Sequence, residues 1–424
     1  MSLSKERKTI ICLGFLNAVV WILFYGVIET PDSMSYISAW DNLLRFVPDS
    51  YRTPIYPLYL GVLRTIFGIG FFKIAAVIGQ YLFFTLSALA YYSLSFRIID
   101  HPKIAYWLSI IYLLFPGLFA WNNEILTESF SISGMVFLLY SVLLLYERAS
   151  ALRVVGLFLS LLFIIFLRPS FVYLVPVLCL FWLISLFKIG KVHSAFLGAV
   201  ISVCVGFLYA GYVAQFHKAH GIWSPTIVSN INRYYIARQY GLLMPADATT
   251  ANLNKIIEKQ IINDGEQCSE NELLWEEVFE VVENASPIEI SEALNNSQRS
   301  KPLSHIKALC LRTYQAGYTF IFRGSTHFMT LVWNYLVGIQ IRHVYLFLFV
   351  YFIAVMTWIF YNRQIPICSL LLFLVGASNL IVVIIGAQSD WGRLNVSVIP
   401  IYFLMISQFI KHIDLKFQKR LVVL

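Results

Sequence analysis

Ten apolar segments, each about as long as a membrane-crossing helix, alternate with polar connectors along the 424-residue chain. Within each segment the apolar run is continuous, which predicts α-helices and argues against a transmembrane β-barrel, whose strands alternate. The predicted spans are residues 9–28, 72–96, 104–121, 129–147, 152–168, 171–187, 194–213, 343–361, 365–386 and 395–411. The first segment is longer than the apolar part of a signal peptide and ends in no cleavage pattern, so we interpret it as an uncleaved span.

The composition supports a membrane protein, and the charge pattern predicts its orientation in the membrane. The chain is 59% hydrophobic and 13% charged, whereas soluble domains carry about a quarter charged residues. Its net charge of +8 lies in short connectors and at the termini. With the N-terminus in the cytoplasm, the inner connectors hold most Lys and Arg, while the outer connector 122–128 holds two acids and no basic residue. We therefore expect an all-α integral membrane protein with both termini in the cytoplasm and no nucleic-acid partner.

The polar connectors divide the chain into three predicted parts. These are an N-terminal transmembrane module, a long extracytoplasmic loop domain and a C-terminal transmembrane module, at residues 1–213, 214–342 and 343–424. In the long loop, Asn271–Val282 has helical periodicity and Cys310–Phe322 is expected to lie on the membrane. Cys268 and Cys310 also lie in that loop, and the sequence leaves open whether they form a disulfide.

The first outer loop, residues 29–71, is polar and rich in aromatic residues and proline. Asp32 is a natural N-cap for an amphipathic helix over Ser33–Val47. Pro48–Pro57 is interrupted by prolines, and Leu58–Phe67 is expected to form a second interfacial helix. The loop therefore predicts two surface helices joined by a segment without regular structure.

Three acids are candidates for chemistry on the outer face. Asp32, partly desolvated at the bilayer surface, can take a proton from a hydroxyl group, although a solvated helix cap explains it equally. Glu124 and Glu128 are four residues apart and share one face of a helix if the helix extends that far. They are predicted to orient an acceptor or hold a metal ion, or else merely mark an outer loop.

Three arginines, Arg52, Arg168 and Arg393, fall on the outer side against the positive-inside bias. A guanidinium group suits phosphate because its donors form a planar fork, but an arginine at a membrane edge also reaches lipid phosphate without any function. Tyr36 and Tyr56 lie near Arg52 in the chain and complete the predicted substrate-binding set.

Several familiar sites are missing from the sequence. There is no Walker loop, dinucleotide fingerprint, GxSxG or CxxC motif. His217 and His220 lack an evident third ligand, so no metal site is predicted, although a divalent ion remains open. The cytoplasmic connectors are too short to bind a nucleotide sugar. No cofactor is expected, and a sugar donor would have to arrive on a lipid.

The candidate residues lie in segments that resemble the GT-C superfamily of polyprenyl-phosphate-sugar-dependent membrane glycosyltransferases, which includes protein O-mannosyltransferases and lipid A aminoarabinose transferase. The segments are PDSMSYISAW around Asp32, RTPIYPLYL at 52–60, NEILTES around Glu124 and Glu128, Leu-Arg-Pro at 167–169, and Arg393 with Pro400 further on. The resemblance covers residues 9–170, is weak over 380–411 and is missing from 215–342. Many members have Asp-Glu where this chain has Asp32-Ser33.

The resemblance implies an inverting transfer on the periplasmic face of a bacterial inner membrane. Asp32 would be the catalytic base that activates an acceptor hydroxyl, and polyprenyl phosphate would leave. Arg52, Arg168 or Arg393 would neutralise that phosphate. The donor would be an undecaprenyl-phosphate sugar, and the acceptor a surface polysaccharide, glycolipid or protein. The long loop would cap the cavity and select the acceptor.

Two other functions stay open at this point. A glycan polymerase or ligase would use a polyprenyl-pyrophosphate-linked oligosaccharide, and its expected mark is a pair of arginines in the large outer loop, where Arg233 and Arg238 are available. A flippase or transporter would carry charges or broken helices at mid-membrane, whereas the charges here lie at the ends of the spans.

Overall fold

A computed structural model of the chain describes residues 4–188, 190–268, 270–316, 344–362, 366–386 and 395–421. These residues form α-helices joined by short turns, and the β contact recorded among them is one isolated bridge. The helices are α1 (Lys5–Tyr25), α2 (Ser33–Leu44), α3 (Ile55–Ile99), α4 (Pro102–Leu114), α5 (Pro116–Phe119), α6 (Glu128–Glu147), α7 (Ala151–Leu167), α8 (Leu174–Leu186), α9 (Val192–His220), α10 (Val228–Gln239), α11 (Ala251–Asp264), α12 (Asn271–Asn284), α13 (Pro287–Ser300), α14 (Pro302–Ala316), α15 (Val344–Asn362), α16 (Ile367–Gly386) and α17 (Ile399–Leu421). Turns of 3-10 helix occur at Ala120–Asn123, Pro169–Tyr173, Pro245–Asp247 and Val396–Val398.

Six of the described helical segments are long and apolar enough to cross a membrane. They are Lys5–Tyr25, Ile55–Ile99, Glu128–Glu147, Pro169–Leu186, Val192–His220 and Ile367–Ile385. The neighbouring segments Pro102–Leu114 and Pro116–Asn123 meet at a bend of 55°. If they are counted together as one broken span, the number of candidate spans among the described residues rises to seven. The prediction of an α-helical membrane protein is confirmed at this level, while ten crossings stay a prediction. The predicted spans 152–168, 343–361 and 395–411 coincide with shorter apolar helices.

Helix α3 is bent back on itself at Gly68. This glycine has φ 71° and ψ 173°, a backbone conformation that is strained for residues with a Cβ. The stretch 55–67 packs against 69–99. A hydrogen bond joins the two stretches, in which the Tyr59 hydroxyl donates to the carbonyl oxygen of Ala76 over 2.7 Å. The predicted helix Leu58–Phe67 therefore exists, but it is one arm of a hairpin whose other arm is the predicted span 72–96.

Two separate hydrophobic clusters hold the described residues together. One contains residues from α1 to α9 and from α15 to α17, and helix α6 is buried along most of its length within it. The second is built from α10 to α14 together with the end of α9, and it packs residues such as Tyr234, Leu274 and Leu294. We call this second part, residues 216–316, the outer domain, after the side of the membrane on which the sequence predicts it. The three-part domain division with its exact boundaries stays a prediction.

Several local expectations can be compared with the outer domain. The predicted helix Asn271–Val282 is found as α12, and Cys310 lies on α14, which ends at Ala316. The remainder of the predicted membrane-lying segment, 317–322, is outside the described residues. Cys268 and Cys310 are both free thiols, so the structure does not contain the disulfide that the sequence left open.

Candidate active site

Asp32 lies immediately before α2, where the first outer loop turns into a helix. It occupies the N-cap position but its side chain does not cap, because its backbone is already helical at φ −70° and ψ −25°. Its carboxylate instead pairs with Arg52, whose Nη2 donates to Oδ1 over 2.7 Å. The prediction of a capping side chain is therefore wrong, since a guanidinium 20 residues away takes the carboxylate oxygen. The Asp32 side chain is 40% exposed, so it is open to a substrate.

Arg52 is held in place by three further groups. Its Nε donates to Ser35 Oγ over 2.6 Å, and its guanidinium carbon lies 4.0 Å from the centre of the Tyr36 ring. Asp49 accepts from the backbone N–H of Tyr51 at 2.9 Å and of Arg52 at 2.8 Å. These bonds define the turn that presents Arg52. Sequence reasoning missed Ser35 and Asp49; the Pro-Asp-Ser run at 48–50 is a turn signal that pointed to Asp49.

Glu124 is brought to this loop by backbone pairing. It is extended rather than helical, at φ −93° and ψ 139°, and forms an isolated parallel bridge with Ile28. The Ser33 hydroxyl also donates to the carbonyl oxygen of Ile125 over 3.1 Å. The helix does not extend far enough for Glu124 and Glu128 to share a face, because α6 begins only at Glu128. Glu124 is 1% exposed and Glu128 is 0% exposed, which disfavours their being mere markers of a solvated loop.

Glu128 faces the second predicted arginine. Arg168 Nη1 lies 3.5 Å from Glu128 Oε1, and the Arg168 side chain is 13% exposed. Arg168 has an extended backbone and lies between α7 and the Pro169–Tyr173 turn. The Thr53 hydroxyl donates to the carbonyl oxygen of Leu167 over 3.0 Å, so the chain neighbours of Arg52 and Arg168 are directly bonded.

Two tyrosines connect the acids to the arginines. The rings of Tyr36 and Tyr56 meet edge to face with centroids 5.1 Å apart. The Tyr56 hydroxyl donates to Gln80 Oε1 over 2.6 Å. Gln80 Nε2 in turn donates to the carbonyl oxygens of Asn122 and Glu124, at 2.8 and 2.9 Å. Gln80 was missed by sequence reasoning, although a carboxamide in the middle of an apolar span is itself an unusual signal.

The structure thus brings seven of the eight predicted site residues into one connected group. The group comprises Asp32, Tyr36, Arg52, Tyr56, Glu124, Glu128 and Arg168. The eighth, Arg393, lies outside the described residues. Among the described residues no cluster of three or more His, Cys, Asp or Glu side chains could hold a metal ion. Two of the three carboxylates instead face guanidinium groups, which disfavour a bound cation and suit an oxyanion.

The outer domain contacts the first outer loop next to this group. The backbone N–H of Ile227 donates to the carbonyl oxygen of Ser50 over 2.8 Å, and His220 Nε2 lies 3.0 Å from that of Pro48. The two arginines considered for a polymerase differ in their surroundings. Arg238 is fully buried and binds both carboxylate oxygens of Glu277, at 2.8 and 2.6 Å, whereas Arg233 bonds Asn295 at 2.8 Å. Arg238 is therefore a structural residue.

Comparison with known proteins identifies the fold. No family model and no curated protein matches the chain. Among solved structures, the oligosaccharyltransferase of Archaeoglobus fulgidus is similar in a form complexed with zinc and sulfate, at a TM-score of 0.53 and 11% identity over 96% of this chain. The same archaeal enzyme, AglB, complexed with an inhibitory peptide and a dolichol-phosphate, is similar at 0.50 and 12% over 95%. Its apo form gives 0.52 and 12% over 94%. This chain spans about half the length of those proteins, at 50%.

The similarity shows that this chain shares its fold with that archaeal oligosaccharyltransferase. It extends over 96% of this chain and so reaches into the outer domain, which the sequence resemblance does not cover. It does not identify the subtype expected from the sequence, because a likeness at 11–12% identity concerns the fold alone.

Proposed function

We propose that this protein is an inverting glycosyltransferase of the bacterial inner membrane. It moves a sugar from a polyprenyl-phosphate donor to a hydroxyl of a surface polysaccharide, glycolipid or protein on the periplasmic face. The observation that carries the proposal is that two acid–arginine pairs, Asp32–Arg52 and Glu128–Arg168, are linked to each other. The link is the hydrogen bond from the Thr53 hydroxyl to the carbonyl oxygen of Leu167. A base and phosphate-binding groups are what this reaction requires.

In the proposed reaction Asp32 accepts the proton of the acceptor hydroxyl. The acceptor oxygen attacks the anomeric carbon of the donor sugar, and the bond from that carbon to the phosphate oxygen breaks. Polyprenyl phosphate leaves with the bonding electron pair, and the configuration of the sugar inverts. Because Asp32 is exposed while its partner Arg52 is mostly buried, an acceptor can reach the carboxylate from the solvent side.

The arginines have distinct roles in this proposal. Arg52 is proposed to orient the Asp32 carboxylate through their 2.7 Å bond. Arg52 and Arg168 are proposed to neutralise the departing phosphate, and Arg393 is proposed to join them. Glu124 and Glu128 are proposed to position the acceptor and Arg168. No step is assigned to a metal ion, because two of the three carboxylates, those of Asp32 and Glu128, face guanidinium groups.

The solved structures support a lipid-linked donor. The AglB structure contains a dolichol-phosphate together with a peptide, and by analogy this chain would take a polyprenyl-linked donor, with a protein among its candidate acceptors. The polymerase alternative loses support, because Arg238, one of its two expected arginines, is bound by Glu277 in the interior of the outer domain.

A turnover assay tests the proposal. Purified protein in detergent is incubated with a panel of polyprenyl-phosphate sugars and an extract of candidate acceptors, and released polyprenyl phosphate is measured. Asp32→Asn should lower the rate by about 10²–10⁴-fold, the usual contribution of a general base. Asp41→Asn is the matched control, because Asp41 is an exposed acid on the same helix α2.

Unchanged turnover in Asp32→Asn would remove Asp32 from the chemistry. Turnover only with a pyrophosphate-linked oligosaccharide would favour the polymerase. Both variants are first compared by thermal unfolding, so that a loss of folding is not mistaken for a loss of the base.

A further inference from the structure

A second polar cavity lies in the outer domain, apart from the Asp32 group. Its volume is about 490 Å³, within the range of sites that hold small molecules. Residues of α10, α13 and α14 form its walls, and Ile385 at the end of the candidate membrane span Ile367–Ile385 closes one side. The cavity therefore lies where the outer domain meets the membrane module.

Two arginines from different helices line this cavity. Arg233 comes from α10 and is half-buried, and Arg312 comes from α14 and is 3% exposed. No acidic residue occurs among the described lining residues. Burial lowers the pKa of Arg312 to about 10, so its guanidinium remains protonated at neutral pH. The pocket therefore presents two guanidinium groups to an anion that enters it.

Much of the remaining wall is aliphatic, beside the polar Gln298 and His305, and part of it is exposed. Ile306 is 56% exposed and Leu309 is 40% exposed, and both line the cavity. On the same helix α14, Leu303 is 79% exposed. Ile385 is also 58% exposed. An apolar rim at the end of a membrane span is a place where hydrocarbon chains can reach the cavity directly from the bilayer.

We infer that this cavity binds an anionic phospholipid of the bilayer, with its phosphate between Arg233 and Arg312 and its acyl chain along Ile306, Leu309 and Ile385. A phosphate suits two guanidinium groups. A glycan would instead favour Trp, Tyr or Phe rings for stacking, and none of these occurs among the described lining residues. Such a lipid would hold α14 and the outer domain at the membrane surface. The inference is independent of the proposed transferase reaction.

The test uses the full-length protein, delipidated in detergent and titrated with dioctanoyl phosphatidylglycerol, with bound lipid counted by native mass spectrometry. One lipid should bind saturably. Arg233→Gln and Arg312→Gln should each raise its Kd about tenfold or more, the value of a charge-assisted hydrogen bond. Arg299→Gln is the matched control, because Arg299 is an exposed arginine of the same domain, on α13, and should leave the Kd unchanged.

Three other ligands test whether the phosphate and the acyl chain are both needed, and whether a bilayer phospholipid or a polyprenyl phosphate is preferred. Dioctanoylglycerol lacks the phosphate, and inorganic phosphate lacks the chain, so equal binding of either would overturn the inference. Farnesyl phosphate represents the polyprenyl lipid, and tighter binding of it than of phosphatidylglycerol would overturn the assignment to a bilayer phospholipid. Arg233→Gln, at a half-buried position, keeps the test valid if Arg312→Gln fails to fold. Unchanged Kd values in a folded Arg233→Gln variant would also count against the site.

Discussion

Tyr56 donates to Gln80 over 2.6 Å although the two residues are 24 positions apart within α3. Along a straight helix that separation would be about 36 Å. The bend at Gly68 is therefore what allows one helix to supply both residues. Because Gln80 also bonds the carbonyl oxygen of Glu124, this single carboxamide connects the proline-rich loop to the segment that carries the buried acids.

Replacing Gln80 should damage both stability and turnover. Gln80→Leu leaves the buried Tyr56 hydroxyl and two carbonyl oxygens without this partner, at a cost of about 1–3 kcal/mol for each group. Adding Tyr56→Phe should restore part of the thermal stability, because it removes the stranded hydroxyl. If Gln80 positions Glu124, kcat of the double variant should stay low. Recovery of kcat together with stability would show that Gln80 has only a structural role.

Arg52→Lys should lower donor turnover by about tenfold or more, because a lysine cannot keep three contacts at once. Arg52 bonds Asp32 and Ser35 and stacks on the Tyr36 ring. The measurement is kcat and KM for the polyprenyl-phosphate donor. Arg45→Lys, at an exposed position just beyond α2, is the control and should behave as wild type. Equal kinetics for the two variants would contradict the role proposed for Arg52.

Breaking the Arg238–Glu277 pair should destabilise the outer domain. Arg238→Met leaves Glu277, itself 5% exposed, as an uncompensated buried charge, which costs about 3–5 kcal/mol. Limited proteolysis of the outer domain reports the change. Lys259→Met is the comparison, because the Lys259–Glu280 pair is largely exposed on the lysine side, at 63%, and should contribute less than about 1 kcal/mol. Equal protection of the two variants would argue against a structural role for Arg238.

The two cysteines of the outer domain should differ in reactivity. Cys310 is exposed, whereas burial and the nearby Glu277 raise the pKa of Cys268. Because the thiolate is the reactive form, N-ethylmaleimide at neutral pH should label Cys310 quickly and Cys268 only after unfolding. Mass spectrometry of digested protein locates the label. A linked Cys268–Cys310 peptide under non-reducing conditions would show that the native protein contains the disulfide instead.

Local patterns predicted the helices well. The predicted spans 129–147 and 152–168 differ from α6 and α7 by one residue at their ends, because an apolar run reports helix length directly. The predictions that failed depend on contacts between distant residues. The side chain of Asp32 does not cap α2 because Arg52 takes its carboxylate, and Glu124 is extended because its backbone pairs with Ile28. Neither partner can be identified from spacing along the chain.

The contacts named for the two acid–arginine pairs all join residues between Ile28 and Arg168. A ribosome makes these residues before it makes the outer domain, and domains generally fold as they emerge. Under the proposed function, the two acid–arginine pairs can thus be arranged in the nascent chain before the outer domain is made. Over evolution, an outer domain that selects the acceptor would then be free to change the acceptor without disturbing these two pairs.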